Sequence, residues 1–135
     1  MRKAVAWMGG VWIANQLVGY LILGYPRTMN SFAHGGSLLV ASIAGLLVAV
    51  AVLKTRNDKG LASLALAFVA AFATYELLLL AAAFVLGGIE TFAPDIVWLV
   101  AKNDFFWFAG LLAARVALTR AFPRFYAPQM AVRSA

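Results

Sequence analysis

A chain of 135 residues, 64% hydrophobic and only 12% charged, is long enough for one domain and too apolar to cover a soluble surface, since soluble domains carry about 25% charged residues. The absence of cysteine excludes a disulfide framework, a thiolate metal site, an iron–sulfur cluster and a cysteine nucleophile. The net charge of +6 comes from basic residues set between long apolar runs, a distribution that points to membrane topology and away from nucleic acid.

A helix that crosses a bilayer needs about 20 apolar residues. Segments 4–24, 32–53, 61–86 and 94–121 meet that length. The expectation is an all-α protein, an integral membrane four-helix bundle forming a single transmembrane domain. The first segment follows Met1-Arg2-Lys3 and begins like a signal peptide. Its length, the amides Asn15 and Gln16 inside it and the lack of a small-x-small cleavage site predict a retained helix instead. It stops at Gly24-Tyr25-Pro26, which breaks helices. The second segment runs into a short polar turn over residues 54–60, and the third ends at Gly87-Gly88. The fourth opens at Pro94, a favoured residue in a first helical turn. Its 28 residues would make about 42 Å of helix against a hydrocarbon core of about 30 Å. A tilt, an interfacial first stretch or a break near Lys102-Asn103-Asp104 would each resolve the excess.

Orientation follows from the basic residues, which concentrate in cytoplasmic loops. Arg2, Lys3, Lys54, Arg56, Lys59, Arg115, Arg120, Arg124 and Arg133 fall on one side of a four-span chain, whereas Arg27 falls on the other. Both termini are therefore expected inside the cytoplasm (N-in/C-in), in a bacterial-type inner or plasma membrane. Trp7, Tyr20, Tyr25, Trp98, Phe122, Phe125 and Tyr126 lie near the segment ends, where an aromatic ring keeps one edge apolar and the other wet. Ser37, Ala41, Gly45 and Ala49 recur every four residues and place a stripe of small side chains along the second helix. Such stripes let helix backbones approach closely where lipid supplies no hydrophobic drive. Ala6, Gly10 and Ala14 repeat the spacing on the first helix.

The polar residues inside the apolar runs carry the functional expectations. Glu76 lies in the middle of the third segment, where a charged carboxylate costs about 2.5–3.5 kcal/mol on insertion scales. Lys102, Asn103 and Asp104 lie in the fourth. Counted from the cytoplasmic ends, Glu76 and Asp104 reach similar depths, about 22 and 24 Å at 1.5 Å per residue. That makes an intramembrane Glu/Lys/Asp cluster the leading candidate site, either as a proton or ion relay or as a structural ion pair. Asn15 and Gln16 would line the same cavity or form interhelical hydrogen bonds, and Gly19 would leave room for a neighbouring helix. His34, the single histidine, is expected to be an interfacial polar residue, because one histidine supplies neither a haem ligand pair nor a zinc site.

No P-loop, dinucleotide fingerprint, His-Glu-x-x-His, Gly-x-Ser-x-Gly or metal-ligand spacing occurs. No cofactor is expected, and an enzyme is the least supported class. The length and span count resemble those of small multidrug exporters and fluoride channels. The embedded first-helix glutamate of the former and the glycine–arginine pattern of the latter are missing. Two expectations remain. One is an oligomeric transporter or channel for protons, ions or small polar solutes. The other is a non-catalytic scaffold or accessory subunit of a larger membrane complex. In either case the partners are the lipid bilayer and a homo-oligomer or larger membrane complex, with no nucleic acid.

Overall fold

The computed structural model describes residues 2–56 and 60–123. Lys59, Arg124 and Arg133 of the basic set, and Phe125 and Tyr126 of the aromatic set, lie outside the described residues. Among the described residues all regular structure is helical: α1 (Arg2–Leu21), α2 (Met29–Thr55), α3 (Leu61–Leu86), a short 3-10 turn (Ile89–Phe92) and α4 (Pro94–Ala121). The chain divides into two compact units, Met1–Phe92 and Ala93–Ala135.

Three of these helices, α2, α3 and α4, are long and apolar enough to cross a membrane, which marks the chain as a membrane protein. The first helix is not among them. Asn15 and Gln16 sit well inside it and lower its apolarity. Many large apolar side chains turn outward, as hydrocarbon accepts; Phe84 and Val85 are 70% and 83% exposed.

Local chemistry sets the helix ends. The first helix stops at Leu21, three residues before Gly24. The N–H groups of Ile22 and Leu23 both return to the Val18 carbonyl at 3.0 Å, and Gly24 then adopts φ +69°. That left-handed residue lets the Tyr25 N–H reach back to the Gly19 carbonyl at 3.0 Å. The second helix begins before its apolar run, because Thr28 is an N-cap whose hydroxyl accepts the Ser31 N–H at 3.2 Å. Met29, Asn30 and Ser31 therefore form a polar-edged first turn. Gly87 closes α3 at φ +92°, and its N–H bonds to the Ala83 carbonyl at 2.9 Å. The fourth helix has Pro94 in its first turn and continues through Lys102-Asn103-Asp104 without a break. Its 28 residues span about 42 Å.

The core of the first unit is the contact between α2 and α3. Small residues make it: Ala41 (0% exposed) and Gly45 on α2, with Ser63, Ala67 and Ala83 on α3. At Gly45 a Cβ would stand 3.1 Å from the Ala71 carbonyl oxygen, so the backbones meet there with no room for a side chain. Ser37 and Ala49, at the ends of the same stripe, are half-buried. The first helix touches α2 more lightly. Its own small residues, Ala6, Gly10 and Ala14, are exposed, and nothing approaches within 4 Å of a Cβ built on Gly10.

Candidate polar pocket between the first two helices

On α1, Trp12, Asn15, Gln16, Gly19 and Tyr20 follow three- and four-residue steps and share one face. That face meets the first turns of α2. The Trp12 indole donates from Nε1 to the Gly35 carbonyl at 2.7 Å. The Gln16 amide rests on Gly35 itself, with Oε1 2.6 Å from where a Cβ would stand. Gly35 is buried, and only glycine leaves that seat open. A turn further on, the Tyr20 hydroxyl lies 3.1 Å from Ser31 Oγ. The Tyr20 ring packs on Phe32 at a centroid distance of 5.0 Å.

The connection between the helices folds back over this seam. Tyr25 lays its ring against Gly19, with Cδ2 2.7 Å from the position of a Cβ, and meets Tyr20 edge-on at 6.3 Å. Gly19 thus makes room for a ring of its own hairpin, where the sequence suggested a neighbouring helix.

The first turns of α2 also hold the end of α3. The Asn30 amide donates to the Leu86 carbonyl at 3.2 Å. The His34 ring places Nδ1 2.9 Å from the Asn30 carbonyl and Nε2 3.2 Å from the Gly87 carbonyl. These α3 carbonyls are ones a helix leaves without internal partners at its C-terminus. Carbonyls only accept, so a neutral imidazole makes one of the two His34 bonds and an imidazolium makes both.

These contacts border a partly open cavity of ≈380 Å³ lined by Asn15, Gln16, Tyr20, Tyr25, Thr28 and Ser31 among others. No Asp, Glu, Lys or Arg borders it. Its hydroxyls are mostly engaged with one another or with backbone. The Asn15 and Gln16 side-chain amides make no hydrogen bond among the described residues, so both present open donors and acceptors to the cavity.

The chain matches no protein-family model, no curated protein and no solved structure.

Of the polar residues singled out in the sequence, Asn15, Gln16 and His34 come together at this pocket. Glu76 is half-buried on α3, within the first unit. Lys102, Asn103 and Asp104 belong to α4 in the second unit. There Asp104 is half-buried, Asn103 is exposed, and the Lys102 ammonium stands 5.9 Å from the centre of the Trp98 ring. Among the described residues no group of three His, Asp or Glu side chains is placed to hold a metal ion. The sequence reading missed Trp12, Thr28, Asn30 and Ser31, and treated Tyr20 only as an interfacial ring. Their signal was present as spacing: positions 12, 15/16 and 19/20 form one polar face, and positions 30/31 and 34 form its counterpart.

Proposed function

We propose that this chain is a small polytopic membrane carrier for uncharged polar solutes, working as an oligomer, with the α1–α2 pocket as its binding site. One observation carries the reading: the amides of Asn15 and Gln16 face a ≈380 Å³ cavity with their hydrogen-bonding capacity unused among the described residues. Asn15 is exposed and Gln16 half-buried, and each hydrogen bond that their amides make to a solute is worth about 0.5–1.5 kcal/mol. A solute that both donates and accepts matches them, and the absence of an Asp, Glu, Lys or Arg among the lining residues disfavours ions at this site.

The test is uptake of glycerol, urea and formamide by vesicles containing the purified protein. Replacing Asn15 and Gln16 together by Leu lowers uptake about 30-fold, taking about 1 kcal/mol for each of two hydrogen bonds. If the parent protein moves none of the three faster than empty vesicles, or if the double variant matches it, the proposal fails.

The reading includes four spans in one bundle, N-in/C-in, in a bacterial-type inner membrane. Arg2, Lys3, Lys54 and Arg56 at helix ends support that orientation. Because the chain has no cysteine, single introduced cysteines report sidedness directly. Positions 3 and 55 are labelled by an impermeant thiol reagent from the cytoplasmic side and position 91 from the other.

A second reading is a proton or cation path using Glu76, with Lys102 and Asp104. The half-burial of both carboxylates on apolar helices supports it. Replacing Glu76 by Gln then abolishes ion flux and spares glycerol uptake. Undiminished ion flux rejects it. A non-catalytic scaffold or accessory subunit is the alternative; the small-residue stripe of α2 does not by itself offer it a partner surface, because Gly45 of that stripe lies against α3 of the same chain.

A further inference from the structure

The polar pocket continues along the seam. At Asn15 and Leu38 it meets a second cavity of ≈320 Å³, bounded by Met8, Val11 and Trp12 of α1, Ser42 of α2 and Tyr75 of α3. Tyr20 to Met8 on α1, and Asn30 to Ser42 on α2, each cover about 18 Å of helix. The two cavities together follow that length, the one beside Tyr20 carrying the larger polar share of its lining.

Beyond Asn15, where the two cavities meet, the far end is mainly apolar. Met8, Val11 and Leu38 present hydrocarbon there, with the Tyr75 side chain at its edge. The Trp12 N–H is already given to the Gly35 carbonyl at 2.7 Å, and the Ser42 hydroxyl to the Leu38 carbonyl at 2.7 Å. The near end keeps the Asn15 and Gln16 amides open. No Asp, Glu, Lys or Arg lines either cavity, and both His34 ring nitrogens are turned to backbone carbonyls. An ionised headgroup would find no carboxylate, ammonium or guanidinium to pair with, whereas a polyol, which donates and accepts alternately, matches amides and hydroxyls. The second cavity, ≈320 Å³ and partly open, leaves room along Trp12 for an alkyl chain.

We infer that the seam between α1 and α2 binds a single-chain amphiphile, its uncharged polyol head at Gln16 and its alkyl chain along Trp12. The inference rests on the pocket being a binding site and names the ligand class.

The test uses the full chain in phosphatidylcholine nanodiscs and two photoactivatable monoacylglycerols, with the diazirine beside the head in one and at the chain end in the other. The head probe labels the peptide containing Gln16 and Tyr20, and the chain-end probe labels the one containing Met8 and Trp12. Unlabelled monoacylglycerol displaces both. Lysophosphatidic acid of the same chain length displaces them at least about tenfold more weakly, because its charge is buried without a partner. Ser42→Phe and Val11→Phe each reduce chain-end labelling; Val11 is 68% exposed, so its variant keeps the fold. The inference is overturned if both probes label lipid-facing residues such as Phe84 and Val85, if lysophosphatidic acid competes equally, or if neither variant lowers labelling. Displacement by glycerol as effective as by monoacylglycerol also overturns it, while leaving the polar-solute reading intact. Ordered labelling from a protein that takes up no small solute supports the amphiphile and rejects the solute carrier.

Discussion

Gly45 tests whether α2 and α3 are held by close backbone contact. A Cβ there would lie 3.1 Å from the Ala71 carbonyl oxygen and 3.8 and 3.9 Å from the Ala71 carbonyl carbon and Cα. All three atoms are backbone, so relief requires a helix to shift by a few tenths of an ångström. Overpacking of this kind typically costs about 1–3 kcal/mol. Alanine also gains about 0.8–1.0 kcal/mol over glycine inside a helix. The net effect of Gly45→Ala is then a loss of roughly 0–2 kcal/mol. Gly36, on the same helix, is the control, since nothing lies within 4 Å of its Cβ position. Gly36→Ala receives the propensity gain without the clash, so the two variants differ by about 1–3 kcal/mol. The assay is reversible unfolding of the purified chain in a mixed-micelle titration followed by circular dichroism, with both variants under one set of conditions. Equal stability of the two would refute the close contact at Gly45.

Three further outcomes follow from the seam. Gly35→Ala pushes the Gln16 amide from its seat, where a Cβ would stand 2.6 Å from Oε1. The amide is flexible, so stability falls by about 1 kcal/mol or less while glycerol uptake drops as it does on losing the Gln16 amide; unaltered uptake would show that the seat is unimportant. His34→Ala removes the one or two hydrogen bonds that the ring gives to the Gly87 and Asn30 carbonyls, lowering stability by about 1–2 kcal/mol. It also speeds hydrogen exchange at the end of α3, and unchanged exchange there contradicts the bridge. Trp12→Phe removes the bond to Gly35, worth about 0.5–1.5 kcal/mol. It broadens spin-label distances between α1 and α2 but not between α2 and α3; equal broadening of both pairs counts against it.

What the sequence discloses is the part of the structure fixed by local chemistry. Long apolar runs can satisfy their backbone groups in hydrocarbon only as helices, and the helices are there. Gly24 and Gly87 end helical segments and Pro94 opens one through their own backbone preferences. The start of α2 was hidden because Thr28-Met29-Asn30-Ser31 reads as polar loop, and the capping bond that makes it a helical turn is not an apolar signal. The pocket was legible in pieces. Asn15 and Gln16 stood out as amides in an apolar run, and His34 as the single histidine. Their meeting depends on the hairpin turn at Gly24 and on two glycines, Gly19 and Gly35, that open room for a tyrosine ring and an amide. Those are tertiary facts, and hydropathy carries no trace of them.

The two helix contacts in the first unit have different physical origins, and the difference bears on function. The α2–α3 contact is made along its length by small residues in close backbone approach and is tied at its ends by Asn30 to Leu86, His34 to Gly87 and Arg56 to Ser63, so separating the helices forfeits dispersion across a close interface together with those bonds. The α1–α2 contact is lighter and depends on two side-chain hydrogen bonds, Trp12 to Gly35 and Tyr20 with Ser31. Such bonds average about 0.6 kcal/mol in membrane helices, because the separated state also finds partners. The first helix is therefore the element that opens at least free energy, and it is also the helix whose apolarity falls short of the other three. A ligand carrying donors and acceptors along that seam replaces the bonds it breaks, so its binding and the displacement of α1 become linked equilibria. Asn15 and Gln16 weaken the insertion of α1 into hydrocarbon by the same polarity that lets them receive the ligand. Replacing them with leucine gains membrane affinity for the helix and removes the means by which the seam exchanges one hydrogen-bonding partner for another.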